Sequence, residues 1–228
     1  MSILAEKSLG TMSLRLMRSA DAKLQSWGFT VDVMVFLAIL AGLNLHLFGG
    51  SHTNLQMFLP QALRDGQWWR LVSHPFVHLT RYHLFLDAGA FFILYMGLLE
   101  KRVARKLIIT LICGSISLIA ALCFTPDIET KGLCGLSGIA HGLMAYSGLE
   151  LMHTRKSIWV GLFSFLPVFL KSIYEFVNGE VVFTFMHMGL CGSPLAACHL
   201  GGVIGGLVCF LIFKGIDLKF LLFQDDIV

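Results

Sequence analysis

Six apolar runs, each about as long as a bilayer is thick, leave this chain few folds to choose from. They cover about residues 28–48, 83–99, 107–124, 134–152, 158–177 and 195–213, and most of the charge sits between them. About 30 Å of hydrocarbon is crossed by roughly 20 apolar residues in helical form. Backbone polar groups must be satisfied within such a segment, so helices are the form these runs take. The chain is 56% hydrophobic and only 14% charged, against roughly a quarter charged in an ordinary soluble domain. The expected fold class is all-α: a polytopic membrane protein with six transmembrane helices and an interfacial first loop. Six spans and their links use up the 228 residues and leave no room for a separate soluble domain.

The chain is read as an N-terminal segment, 1–27, a membrane domain, 28–214, and a tail, 215–228. The first segment interleaves Lys7, Arg15, Arg18 and Lys23 with Leu14, Leu16, Met17 and Leu24, the pattern of a short interfacial helix. The run 28–48 is too long for a signal-peptide core and has no small-residue cleavage site after it, so it is read as a retained helix. The loop 49–82 contains Trp68-Trp69-Arg70 and is read as partly embedded at headgroup level, where tryptophan is favoured. Basic clusters precede the first span and follow the second (Lys101, Arg102, Arg105, Lys106), the fourth (Arg155, Lys156) and the sixth (Lys214, Lys219). With six crossings all of them fall on one side, which the excess of cytoplasmic lysine and arginine makes the inside, with both termini. Arg64, Arg70 and Arg81 weaken this bias without reversing it.

A formal net charge of +3, with basic residues beside apolar runs rather than along an aromatic-studded face, argues against a nucleic acid partner. Gly201-Gly202 lies in apolar helix rather than at the end of a strand, so no nucleotide-binding loop is present. Cys113, Cys123, Cys134, Cys191, Cys198 and Cys209 all lie in or beside apolar segments and are read as small buried hydrophobes. A disulfide between Cys134 and Cys191 is left open.

Within the fourth run, Gly132 to Tyr146 holds Ser137 between glycines and His141 one turn later. Reactive polar groups in hydrocarbon are costly and functional by default. Small residues at short spacing more often mean close helix packing, and a Gly-x-Ser-Gly alone is weak. Placement decides. Spans two, four and six all run from outside to inside, and their first turns carry His83 and Asp87, then Ser137, then His199. Four polar groups distant in sequence thus reach one membrane depth on three parallel helices. A serine hydroxyl needs a positioned base, and histidine suits that work near neutral pH. Ser137 opens its helix, where free N–H groups and the positive dipole end can hold an oxyanion. Gly201, Gly202, Gly205 and Gly206 form two small-xxx-small pairs that let span six approach span four.

These residues resemble the rhomboid family of intramembrane serine proteases. Gly135-Leu136-Ser137-Gly138 is similar to its GxSG, and Cys198-His199-Leu200-Gly201-Gly202 to its sixth-helix histidine motif. Trp69-Arg70 with His74, His78, His83 and Asp87 is similar to its WR element and HxxxN region. The resemblance covers nearly all of the chain after the first span. It implies a rhomboid-like six-helix bundle, a Ser137/His199 dyad with no acidic third member, and His83 as oxyanion donor; independently of it, Gly135 and Gly138 remove side chains that would block substrate approach and hold neighbouring helices apart. The resemblance implies no metal and no cofactor. The implied partners are single-span membrane protein substrates in the lipid bilayer, cleaved where their helix unwinds at small, helix-breaking residues.

Two positions depart from that pattern. Asp87 stands where the family has asparagine, and an ionised carboxylate repels an oxyanion; it is either protonated, which burial favours, or orients His83 or another donor. His141 stands where tyrosine is frequent and shares a helical face with Ser137. It is read as packing beneath His199 or hydrogen-bonding in the bundle rather than as moving protons. Lys171 and Glu175, four apart, are read as an ion pair within span five. The GxSGxxHG run, the short chain and this pair look like the rhombosortase branch. That branch implies surface proteins with C-terminal Gly-Gly sorting tails as substrates; the short core and the rhomboid resemblance imply the bacterial cytoplasmic membrane as location, and the charge placement puts the active site towards the outer face.

His74 and His78, interrupted by Pro75, are read as fixing the loop. Met186, His187 and Met188 line a gate or sit at the interface, and Asp32 and Asn44 hydrogen-bond across helices. Two other functions compete. One is a pseudoprotease that binds transmembrane clients, against which the presence of both Ser137 and His199 speaks. The other is a metal site or transporter built from His78, His83, Asp87, His141 and His199, ligand types that suit zinc. It leaves the glycine-flanked serine without a role.

Overall fold

A computed structural model describes residues 30–49, 56–154, 157–182, 185, 188, 190–192 and 194–215. The amphipathic segment expected over 1–27, residues 216–228 of the tail, Arg155, Lys156, Met186 and His187 lie outside the described residues. The longer helices are α1 (Val31–Leu43), α2 (Arg81–Gly97), α3 (Val103–Phe124), α4 (Ser137–His153), α5 (Ile158–Asn178) and α6 (Ala196–Lys214). The described residues hold no β-strand, and an isolated bridge pairs Phe58 with Leu133. The chain is all-α. It divides into two compact units, Met1–Ala41, whose described part is most of α1, and Gly42–Val228, which contains every candidate site residue.

Three helices, α3, α5 and α6, are long and apolar enough to cross a membrane. Helix α1 has 13 residues, and α2 and α4 have 17 each. At 1.5 Å per residue, 17 residues reach about 25 Å, short of the roughly 30 Å of hydrocarbon. The difference from six full-length spans has a local cause at α4. The chain approaching it takes positive φ at Gly132 and Gly135, 64° and 97°, and becomes helical only at Ser137. Loop one satisfies that irregular backbone: Phe58 and Leu133 exchange N–H···O bonds of 2.9 Å, and the Gly135 N–H donates to the His74 carbonyl at 3.2 Å. Non-helical backbone at membrane depth is tolerated only where protein buries it in this way.

Helix α6 lies against α3 and α4 along two glycine stripes. A Cβ at Gly202 or Gly206 would collide with the carbonyl of Gly138 or Gly142 on α4. One at Gly201 would lie 2.6 Å from Ala120 of α3, and one at Gly205 2.7 Å from the Cys113 backbone. The two small-xxx-small pairs, expected to let span six approach span four, therefore face different helices, because adjacent residues are about 100° apart around a helix. Ser117 of α3 adds a polar tie, donating to the Cys198 carbonyl at 2.9 Å.

The far ends of α2, α4 and α6 meet at buried Glu150. It forms an ion pair with Lys214 at the end of α6, 2.9 Å away, and accepts from the N–H of Leu99 just after α2, at 3.1 Å. The three helices thus run parallel, and their first turns meet at the opposite end. On α5, Trp159, Phe163 and Val177 stay 69%, 73% and 75% exposed, as suits a face turned to lipid.

Loop one is tied down by polar contacts. A short helix, Arg70–Ser73, passes at Pro75 into a 3-10 turn, His74–Phe76. Asn44 donates to the Phe76 carbonyl at 2.7 Å and accepts the His78 N–H at 2.9 Å. Both of these contacts tie Asn44, just after α1, to loop one.

Candidate active site

Ser137 is the first residue of α4, so its N–H has no intrahelical acceptor. It donates instead to Asp87 Oδ2 at 3.1 Å. The same oxygen lies 3.3 Å from His83 Nε2 and 3.5 Å from His78 Nε2. The Leu79 N–H points at His83 Nδ1 at 3.5 Å, which leaves Nε2 to carry the His83 proton towards Asp87. Asp87 Oδ2 is thus shared by the Ser137 N–H and the His83 ring. Gly135 is required at this corner: a Cβ would lie 2.6 Å from Asp87 Oδ2 and 2.8 Å from His83 Nε2.

His199, in the first turn of α6, is 4% exposed. Its Nδ1 lies 2.8 Å from Glu175 Oε2 on α5. A carboxylate accepts, so Nδ1 carries the proton and Nε2 keeps the lone pair. Glu175 also accepts from Lys171 Nζ at 2.6 Å and from the Val182 N–H at 2.8 Å. The family resemblance implies a histidine with no acidic partner, whereas here the Glu175 carboxylate lies against the His199 Nδ1. The Lys171–Glu175 pair read from the sequence is formed, but the reach of Glu175 to His199 depends on how α5 is rotated against α6, which a four-residue spacing does not encode.

His141 stacks on His199, ring centroids 4.1 Å apart and planes within 9°. Lys171 Nζ lies 3.1 Å from His141 Nε2. An ammonium can only donate, so Nε2 is unprotonated and Nδ1–H donates to the Ser137 carbonyl at 2.7 Å. Both ring nitrogens are committed, and neither is free to take a proton from the serine.

Ser137, His199, His83, Asp87, His141 and Lys171 line one cavity of about 380 Å³. Cys134, Cys191 and Cys198 also border it, and all six cysteines are free thiols. An apolar cleft of about 570 Å³ lies beside the cavity, between Ala90 and Leu94 of α2, Met144 of α4 and Pro167 of α5; it shares Ala90, His141, Lys171 and Val182 with the cavity.

The five side chains of the metal reading fall into two groups. His78 and His83 gather on Asp87, while His141 and His199 join Glu175, with ligand atoms within 4.8 Å of one another. A cation already serves that second group, the Lys171 ammonium between His141 and Glu175. His74 fixes the loop, its Nδ1 against the Arg70 carbonyl at 2.9 Å and its own carbonyl on the Gly135 N–H. Burial pushes its ring from 6.5 down to about 4.

Residues 65–215, about two thirds of the chain, match the Rhomboid domain. Over 162 residues the chain is 26% identical to the rhomboid protease GlpG of Haemophilus influenzae, a stretch covering 68% of this chain and 73% of that protein. The match takes in the whole site from His74 to His199, on an all-α framework with membrane-crossing helices, and the chain belongs to the rhomboid family.

Proposed function

We propose that this protein is an intramembrane serine endopeptidase that cleaves a peptide bond in or beside a substrate transmembrane segment, with Ser137 as nucleophile and His199 as general base. The observation that carries it is the commitment of the His199 Nδ1 proton to Glu175, which leaves a basic Nε2 on a ring that borders the same cavity as Ser137. Ser137 Oγ attacks the scissile carbonyl while Nε2 takes its proton. As the oxyanion develops at the start of α4, the Ser137 N–H and the His83 Nε2–H turn to it from Asp87 Oδ2, which both face in the resting site. The imidazolium then protonates the leaving amine, and water hydrolyses the acyl-enzyme by the reverse sequence. A helical peptide carbonyl is already hydrogen-bonded, so the substrate unwinds locally, which small helix-breaking residues favour. The apolar cleft between α2 and α5 suits a segment arriving from lipid.

The finer reading is a rhombosortase that processes single-span surface proteins with C-terminal Gly-Gly sorting tails. The GxSGxxHG run and the Lys171–Glu175 pair support it. It comprises six crossings in 28–214 with a cytoplasmic segment, 1–27, and tail, 215–228, in the bacterial cytoplasmic membrane, with the cavity towards the outer face. The scheme uses no metal, cofactor or nucleotide.

The test is reconstitution of the purified protein with a tagged single-span substrate bearing Gly-Gly at the outer edge of its helix, for wild type, Ser137→Ala and His199→Ala. Cleavage by wild type, lost in both folded variants, is the expected result. Equal cleavage by Ser137→Ala would overturn the serine mechanism, and uncleaved substrate held by all three forms would make the protein a binder of transmembrane clients.

A further inference from the structure

Glu175 does more than neutralise Lys171. Its Oε1 accepts from Lys171 Nζ and the Val182 N–H, while Oε2 is given to His199 Nδ1 on another helix. Glu175 and His199 are 0% and 4% exposed. An ammonium partner alone would satisfy a charge inside a membrane bundle; nothing in that pairing calls for the second oxygen to hold a histidine of α6. We infer that Glu175 is a positioning residue of the serine protease site, a third member that holds His199 by its Nδ1–H so that Nε2 takes the Ser137 proton. The inference rests on the Ser137/His199 reading above.

Neutral imidazole carries its proton on either nitrogen, and only the Nδ1–H form has a basic Nε2. A buried carboxylate at 2.8 Å selects that form. When Ser137 attacks, its Oγ–H proton moves to Nε2, the Oγ–C bond forms and the carbonyl becomes an oxyanion. His199 is then an imidazolium with both protons, and Glu175 remains a carboxylate. Before the step Lys171 and Glu175 sum to zero; after it the imidazolium and oxyanion add a second neutral pair. No net charge develops in the low-dielectric bundle, where an unbalanced one is costly. His141, neutral because it accepts from Lys171, lies flat on His199 and resists rotation of its ring.

The test uses a fluorophosphonate probe, which bonds to serine Oγ through phosphorus and expels fluoride, and so needs no knowledge of the natural substrate. The labelling rate of the full-length protein in proteoliposomes is followed against pH for wild type, Ser137→Ala, Glu175→Gln, Glu175→Asp and Lys171→Met/Glu175→Gln. The titratable groups facing His199 are Glu175 and Lys171 from α5, His141 from α4, Asp87 and His83 from α2, and Cys198 beside it on α6; Glu175→Gln changes only the first. Glu175→Gln is expected to slow labelling about 10²-fold or more. It should also move the acid limb down by about one pH unit, since the charge favouring the imidazolium is gone while Lys171 stays. Glu175→Asp should recover part of the rate. The double variant, which has no unpaired ammonium, carries the measurement if Glu175→Gln does not fold, and it too should label slowly with a shifted limb. A purely structural Glu175 would lower the folded yield but leave the folded fraction with wild-type rate and limb; that result overturns this inference alone. Wild type unlabelled at Ser137 would overturn the nucleophile assignment and this inference with it.

Discussion

The ring of His141 lies flat against that of His199, 4.1 Å between centroids, and both of its nitrogens are engaged, one by the Ser137 carbonyl and one by Lys171. Such a ring restrains its neighbour and moves no proton. His141→Phe keeps the flat face and is expected to cleave the single-span reporter within about tenfold of wild type. His141→Ala frees the His199 ring and should lose about 10²-fold in kcat, the scale on which small misplacements act. Equal losses in the two variants would move the weight from the stack to the hydrogen bonds.

The Ser137 N–H is aimed at Asp87 Oδ2, where a donor to an oxyanion is wanted. In Asp87→Asn the amide removes a negative charge from that corner and adds a donor, and one such donor contributes about 10²-fold or more to a rate. Cleavage at neutral pH is expected to rise severalfold, with kcat carrying the change. A tenfold loss in folded Asp87→Asn would mean that the carboxylate charge itself is needed to orient His83.

Hydropathy and charge placement were enough to read the helical class and the convergence of α2, α4 and α6, because both depend only on where apolar runs begin and where lysine and arginine stop them. Contacts that depend on rotation about a helix axis were not legible. Gly201 and Gly205 turn to α3 rather than α4, and Glu175 reaches His199, each decided by which way one helical face points. The start of α4 at Ser137 was legible from the serine between glycines, but the hydrogen bonds that support the chain before it were not, since they come from Phe58 and His74, far back in the chain. Asn44 shows the same limit: a polar group in an apolar run announces that it has a partner, without saying that the partner is loop one.

The two glycine stripes of α6 separate packing from positioning. Gly202→Ala presses a methyl group into the Gly138 carbonyl, next to Ser137, whereas Gly205→Ala presses one onto Cys113 of α3. Overpacking of this kind costs about 1–3 kcal/mol in either place. Both variants should melt earlier by similar amounts, but only Gly202→Ala, which displaces His199 from Ser137, should lose about 10²-fold in reporter cleavage. Equal activity losses would show that the α4–α6 seam has no special part in aligning the two residues.

His74 links loop one to the turn before Ser137, and its ring is held near 4 by burial against an ordinary 6.5. The unfolded chain therefore binds this proton from about pH 6.5 downwards, the folded one only from about pH 4. The stability is complete above the upper value and is lost as pH falls through the window, at about 1.4 kcal/mol per unit and up to about 3 kcal/mol in all. Burial also lowers His78, which is present in wild type and variant alike, so comparison with His74→Gln isolates the one ring. Followed by tryptophan fluorescence in detergent, wild type should lose clearly more thermal stability between pH 7 and pH 4.5 than His74→Gln. Because the His74 carbonyl holds the Gly135 N–H, wild-type cleavage should fall over the same interval before the helices unfold. Parallel pH dependence in the two proteins would assign the acid sensitivity to other groups and release His74 from any part in it.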